Sequence, residues 1–139
     1  MAKSPGLARL EKRLAAIPVE VKRAIEPALQ KSGDELVARM KLLAPVDEGH
    51  LRDSIVATPA GQATPPYSQP GGAALVPELT VRVTVGNDAV RYPHLVEYGT
   101  TDAAAQPFFW PAFRLSRKRL DSRIKRAISK AVRDGWAKR

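Results

Sequence analysis

The chain has 139 residues, no cysteine and a formal net charge of +9. That length suits one domain with a modest core, and the missing thiols exclude disulfides and thiolate metal sites. No run approaches the roughly 20 apolar residues that span a bilayer, and no stretch has the apolar centre of a signal peptide.

The charge is unevenly placed. Residues 112–139 carry 11 basic and two acidic side chains, whereas residues 1–111 carry 12 of each, so the whole excess sits at the C-terminal end. Such asymmetry points to contact with something acidic, or to a solvated helix face that keeps the protein soluble.

In chain order, Leu7, Leu10, Leu14 and Ile17 recur at helical spacing among Lys and Arg, and Pro18 closes this piece or starts the next. Val21, Ile25, Leu29, Leu36, Met40 and Leu43 continue the period. Pro27 removes a backbone donor and should kink this stretch or begin a fresh helix; the main helix is predicted from about 27 to 43, with residues 1–26 as a helical arm. Ala44-Pro45 ends that helix, because a residue preceding proline is pushed out of the α region. Asp47 and Gly49 then predict a tight turn, and residues 51–56 a helical turn leading into a first strand.

Residues 58–78 hold five prolines and three glycines and predict an irregular loop, functional or mobile. Leu79 to Val85 alternates aliphatic with polar residues and predicts a strand with one buried and one wet face. Pro93 argues against a central strand, so Tyr92 to Tyr98 reads as a short helix or an irregular edge. Pro107-Phe108-Phe109-Trp110-Pro111 concentrates three aromatics before a basic helix over 111–134, with Pro111 as its first residue and Gly135 as its stop. The fold class is α+β: a long N-terminal helix and a basic C-terminal helix packed on a small, mainly antiparallel β-sheet.

Catalytic and metal-binding patterns are missing. His50 and His94 are far apart and lack a helical ligand partner, and no nucleophile elbow, phosphate loop or dinucleotide fingerprint is present. Glu97 and Asp47 could in principle act as acid or base, but no nucleophile, metal or cofactor pattern accompanies them. They read better as acceptors for loop amides, Glu97 holding the Gly99-Thr100 turn. Asp53 reads the same way, with Arg52 pairing locally or with a neighbouring subunit. No enzyme activity and no cofactor are expected. Phe108, Phe109 and Trp110 belong either to the core or to an interface, where Trp and Phe are enriched. As adjacent residues they cannot all point inward.

Two blocks carry a resemblance. Ala44-Pro45-Val46-Asp47, Gly49, Leu51-Arg52 and Ser54-Ile55 form the first. Tyr92, Val96-Glu97-Tyr98-Gly99-Thr100, Pro107-Phe108 and Pro111-Ala112 form the second. In this order, before a C-terminal helix, they resemble the lambdoid gene-product-ten-like neck and tail-completion proteins of long-tailed phages, related to the lambda tail-completion protein Z. The resemblance spans about residues 20–130. Glu48 stands where the family has threonine, Phe109-Trp110 replaces an aliphatic-basic pair, and the 58–78 segment is longer than usual.

The resemblance implies a structural protein at the head–tail junction of a phage, prophage or gene-transfer-agent particle, assembled in the bacterial host cytoplasm. It implies a homo-oligomeric ring, sixfold in the particle, between head-closure (stopper) and tail-terminator or tail-tube proteins, with no membrane contact. The turns that define the fold are then Pro45, Asp47, Gly49, Glu97, Gly99, Thr100, Pro107 and Pro111. The candidate interface residues are Arg52, Tyr67, Phe108, Phe109, Trp110, Arg114, Arg117, Lys118, Arg119, Arg123, Lys125 and Arg126. The rival reading is a nucleic-acid-binding module acting through the basic helix, which lacks helix-turn-helix or zinc-finger spacing and interleaved aromatics. As a part of the first reading, that helix suggests non-specific DNA contact or an acidic protein partner.

Overall fold

The structure is a computed structural model and describes residues 5–15, 19–46 and 49–137. Among the described residues, five helices and two strands follow in the order α1 (Pro5–Ala15), α2 (Val19–Leu43), α3 (His50–Asp53), β1 (Val56–Pro59), β2 (Val81–Thr84), α4 (Pro93–Tyr98) and α5 (Phe109–Ala137). The fold is α+β, with the long helices at either end of a two-stranded antiparallel sheet. The turn residue Asp47 lies outside the described residues.

α2 is the element on which the others are built. Its apolar stripe buries Val21, Ile25, Leu36 and Met40. One side of α2 packs on α5 and another on the sheet. The α2–α5 pair is antiparallel: Leu36 and Met40 share a core with Phe108, Ala112 and Leu120, while Val21 and Ile25 meet Ala131 at the far end. Phe108, Met40 and Ile55 are the largest fully buried apolar side chains, each contributing about 1.5–3 kcal/mol by leaving water.

The sheet lies close to α2 because Gly33 has no side chain. A Cβ at Gly33 would come within 2.7 Å of Val81 Cγ1 and 3.1 Å of Ala57 Cβ. In the β1–β2 register Val56 faces Thr84 and Thr58 faces Arg82, so these four side chains share the sheet face turned away from α2.

Four expectations from sequence are corrected. The helix predicted from about residue 27 begins at Val19 and runs through Pro27. Pro27 is exposed, and so is Arg23, whose carbonyl loses its bond and meets water instead. Contacts of Val21 and Ile25 with Ala131 hold the segment before Pro27 in place. The terminal helix starts at Phe109, which makes Pro111 its third residue, and it continues past Gly135 to Ala137. The wet face predicted for the strand is not wet throughout, since Thr58 and Thr84 are buried.

The strand predicted over 79–85 supplies the fourth correction: β2 covers Val81–Thr84 only, and Leu79 takes φ 57°. The 58–78 segment is the loop expected from sequence. It is irregular but firmly bonded, with Thr64, Ser68 and Val76 buried. Gly61 N–H donates to Val76 O (3.0 Å), Val76 N–H to Gln62 O (2.9 Å) and Thr64 N–H to Ala74 O (2.9 Å). The Thr64 hydroxyl donates to Gly72 O (2.7 Å) and accepts from Ala74 N–H (2.9 Å). Gln69 and Val85 exchange backbone bonds of 2.8 and 3.0 Å, which ties the loop to the end of β2. Among the described helices, α2 packs most closely on the strands.

Candidate assembly surface

The second sequence block folds back on itself through α4. Pro93 occupies the first position of α4, where a missing N–H costs nothing. Gly99 ends it with φ 78° and ψ 174°. A Cβ at Gly99 would sit 2.7 Å from Ala105 N and 3.0 Å from Ala103 O, so the reversal requires glycine. Gln106 N–H then returns to Val96 O at 2.8 Å and brings the start of α5 over Glu97.

Buried Glu97 closes the amino end of α5. Its Oε2 accepts the N–H groups of Phe108 (2.8 Å) and Phe109 (3.0 Å), and its Oε1 accepts that of Trp110 (3.1 Å). Pro111 has no N–H, and Ala112 N–H bonds Phe108 O, so no donor of the first turn is left over. A carboxylate at this end is also favoured by the helix dipole. Glu97 was expected to hold the Gly99-Thr100 turn. Thr100 holds that turn itself, with its N–H on Ala103 O (2.8 Å) and its Oγ1 accepting Ala103 N–H (3.0 Å).

The two blocks meet in space. Pro45, Gly49 and Leu51 of the first face Val96 and Gln106 of the second across an open groove of about 460 Å³. Gly49 takes φ 87° and precedes α3, as a tight turn there requires. Val46 and Tyr92 line the same groove and are exposed. Leu95 and Tyr98 continue the exposed face of α4, and Trp110 completes it by donating from Nε1 to Tyr98 Oη (2.9 Å). Val46, Tyr92, Leu95, Tyr98 and Trp110 thus form a strip of exposed apolar and aromatic side chains, joined at Val46 and Tyr92 by the groove and at Tyr98 and Trp110 by the hydrogen bond.

Of the three adjacent aromatics, Phe108 and Phe109 are buried in the core and Trp110 is 38% exposed. Trp110 stands edge-on to Phe109 (5.0 Å between ring centres) and to Phe113 (6.1 Å), which holds the exposed indole in one orientation. Pro107 is exposed beside it, and Pro45 and Arg52 are half-buried. Arg52 Nε is buried with no hydrogen-bond partner among the described residues. Tyr67 lies exposed in the 58–78 loop with φ 62°. The Arg91 guanidinium sits 3.8 Å from the centre of the Tyr67 ring and is itself bonded to Asp88 (2.8 Å). Tyr98, Leu95 and Arg91 were not among the interface candidates read from sequence. Tyr98 lies twelve residues from its partner Trp110, a separation at which no helical or strand period couples two side chains.

The basic helix divides into used and unused charge. Arg119 pairs with Glu35 at 2.7 Å, Arg123 pairs with the other oxygen of Glu35, and Arg123 Nη1 reaches Ser32 Oγ at 3.5 Å. The Arg123 hydrogen bond holds the Glu35 carboxyl below the usual carboxylate range. Burial opposes this shift, and the charges of Arg119, Arg123 and Arg39 add to it. Arg117 lies 3.9 Å from Asp121 on the surface. Arg114, Lys118, Lys125 and Arg126 are exposed and make no ion pair among the described residues. Also among the described residues, no group of His, Asp or Glu could hold a metal ion, and no helix is long and apolar enough to cross a membrane.

The family model "Bacteriophage HK97-gp10, putative tail-component" matches residues 8–99, roughly two thirds of the chain. The chain belongs to this phage tail-component family. The match begins within α1 and takes in α2 to α4, both strands and the first block. It stops at Gly99, so the aromatic segment and α5 lie beyond it. No curated protein and no solved structure matches the chain at a significant level. The family is one of virion structural parts, which fits a tail location and a non-enzymatic role.

Proposed function

We propose that the chain is a neck or tail-completion subunit at the head–tail junction of a long-tailed phage, prophage or gene-transfer-agent particle. In this reading copies form a sixfold ring between head-closure and tail-terminator components. The observation that carries it is the exposed strip from Val46 through Tyr92, Leu95 and Tyr98 to Trp110 in a tail-component family member. Tyr and Trp anchors on a rigid support are the composition of an interface centre. Residues 1–111 are electrically neutral as a whole, so copies can approach through them without net repulsion. A closed ring needs two different patches on each subunit, and the strip supplies one of them. The Tyr67–Arg91 stack supplies a second rigid aromatic.

Electron microscopy of particles made without this chain tests the proposal. Filled heads and separate tails are expected, and complementation with the intact chain restores joining. Normal joined particles in its absence would overturn the reading.

A further inference from the structure

We propose that the outward face of α5 binds the phosphate backbone of duplex DNA without sequence preference. The observation is a separation of charge within one helix. Arg119 and Arg123 are tied to Glu35, and Arg117 lies close to Asp121. Arg114, Lys118, Lys125, Arg126, Lys130 and Arg133 remain exposed and form no ion pair among the described residues. Arg114, Lys118 and Lys125 follow one line along the helix, and Arg126, Lys130 and Arg133 follow an adjoining one.

Residues 114 to 133 span about 28 Å at about 1.5 Å per residue, close to one turn of a duplex at roughly 34 Å. Among the described residues α5 packs mainly on α2, and the six side chains of the arc are exposed. A second copy of this chain is a poor occupant, because two such arcs repel and residues 1–111 offer no net negative charge. A polyanion with closely spaced charge is the complement. The arc has no Asn or Gln to read adenine and no aromatic between Phe113 and Trp136 to stack on bases, while its lysines and arginines meet phosphates of any sequence. The contact is therefore electrostatic. It stands on α5 alone and does not depend on ring formation.

The test is fluorescence anisotropy of the full chain with a 30-base-pair duplex across a salt series. A log–log slope of about −3 to −5 is expected from three to six phosphate contacts, with equal affinity for unrelated sequences. The triple variant Arg114→Gln, Lys118→Gln, Lys125→Gln weakens binding at least tenfold and flattens the slope by about 2 to 3. A control variant removes the same charge elsewhere, through Arg23→Gln, Lys31→Gln and Arg82→Gln, and changes affinity less than threefold. Circular dichroism shows that both remain folded. An equal loss in the control reduces the effect to bulk charge and overturns the proposal. So does a flat salt response, or displacement by poly-L-glutamate at charge-equivalent concentrations, which would assign the arc to an acidic protein surface.

Discussion

Glu97 shows how one side chain can be legible in kind and hidden in placement. A lone glutamate beside a glycine signals an acceptor for backbone amides. Its donors lie eleven to thirteen residues onward, across a loop with no periodicity, and only the fold brings them together. Replacing Glu97 by alanine strands three amide donors at a buried helix end. A loss of about 2–4 kcal/mol is expected in urea unfolding, from about 1–3 kcal/mol per unsatisfied buried group with partial relief by water. Glu97→Gln keeps one acceptor oxygen and falls between wild type and alanine. Glu35 gives a pH-dependent counterpart. Its folded pKa lies below the ordinary value of 4.5, so its stabilising contribution is complete above that value and disappears as pH falls through the depressed folded pKa. The stability gap between wild type and Glu35→Gln is therefore level near neutrality and narrows below pH 4.5. Paired unfolding curves at several pH values measure it, and a gap that widens in acid contradicts the assignment.

Among the elements, those with strong periods were legible and those that depend on distant support were not. The aliphatic alternation read over 79–85, of which β2 takes 81–84, the helical stripes of α2 and α5, and the turn at Gly49 all follow from local spacing. Pro27 misled because the local cost of an interior proline, about 3 kcal/mol, is met by packing against Ala131, more than a hundred residues away. The internal bonding of the 58–78 loop was hidden for a different reason. Its prolines and glycines rule out long strands, but short polar residues such as Thr64 and Ser68 can bond backbone groups that a strand partner would otherwise satisfy. Gly33 tests the packing of α2 on the sheet. Helix propensity alone predicts that Gly33→Ala gains about 1 kcal/mol. The new methyl would lie 2.7 Å from Val81 Cγ1, and overpacking costs about 1–3 kcal/mol. The clash wins, and a net loss of up to about 2 kcal/mol is expected. A stabilised variant would show that β2 can move aside.

For the molecule as a whole, family membership covers residues 8–99 and leaves α5 outside the match. The aromatic strip crosses that boundary at Trp110, and its best-exposed members can be changed without touching the core. Leu95→Ser with Tyr98→Ser is expected to shift unfolding by about 1 kcal/mol or less, while particles complemented by this variant fail to join heads to tails. If joining persists, the strip is not the working surface and the search moves to Tyr67 and Arg91. The closure of α5 by Glu97 bears on what the basic helix can do. A free amino terminus would offer a phosphate a fixed backbone seat; here a carboxylate already occupies it. Any anion lying along α5 meets only long, pivoting side chains. Such a surface can grip a charged strand and still let it creep past, because no single phosphate is locked in register.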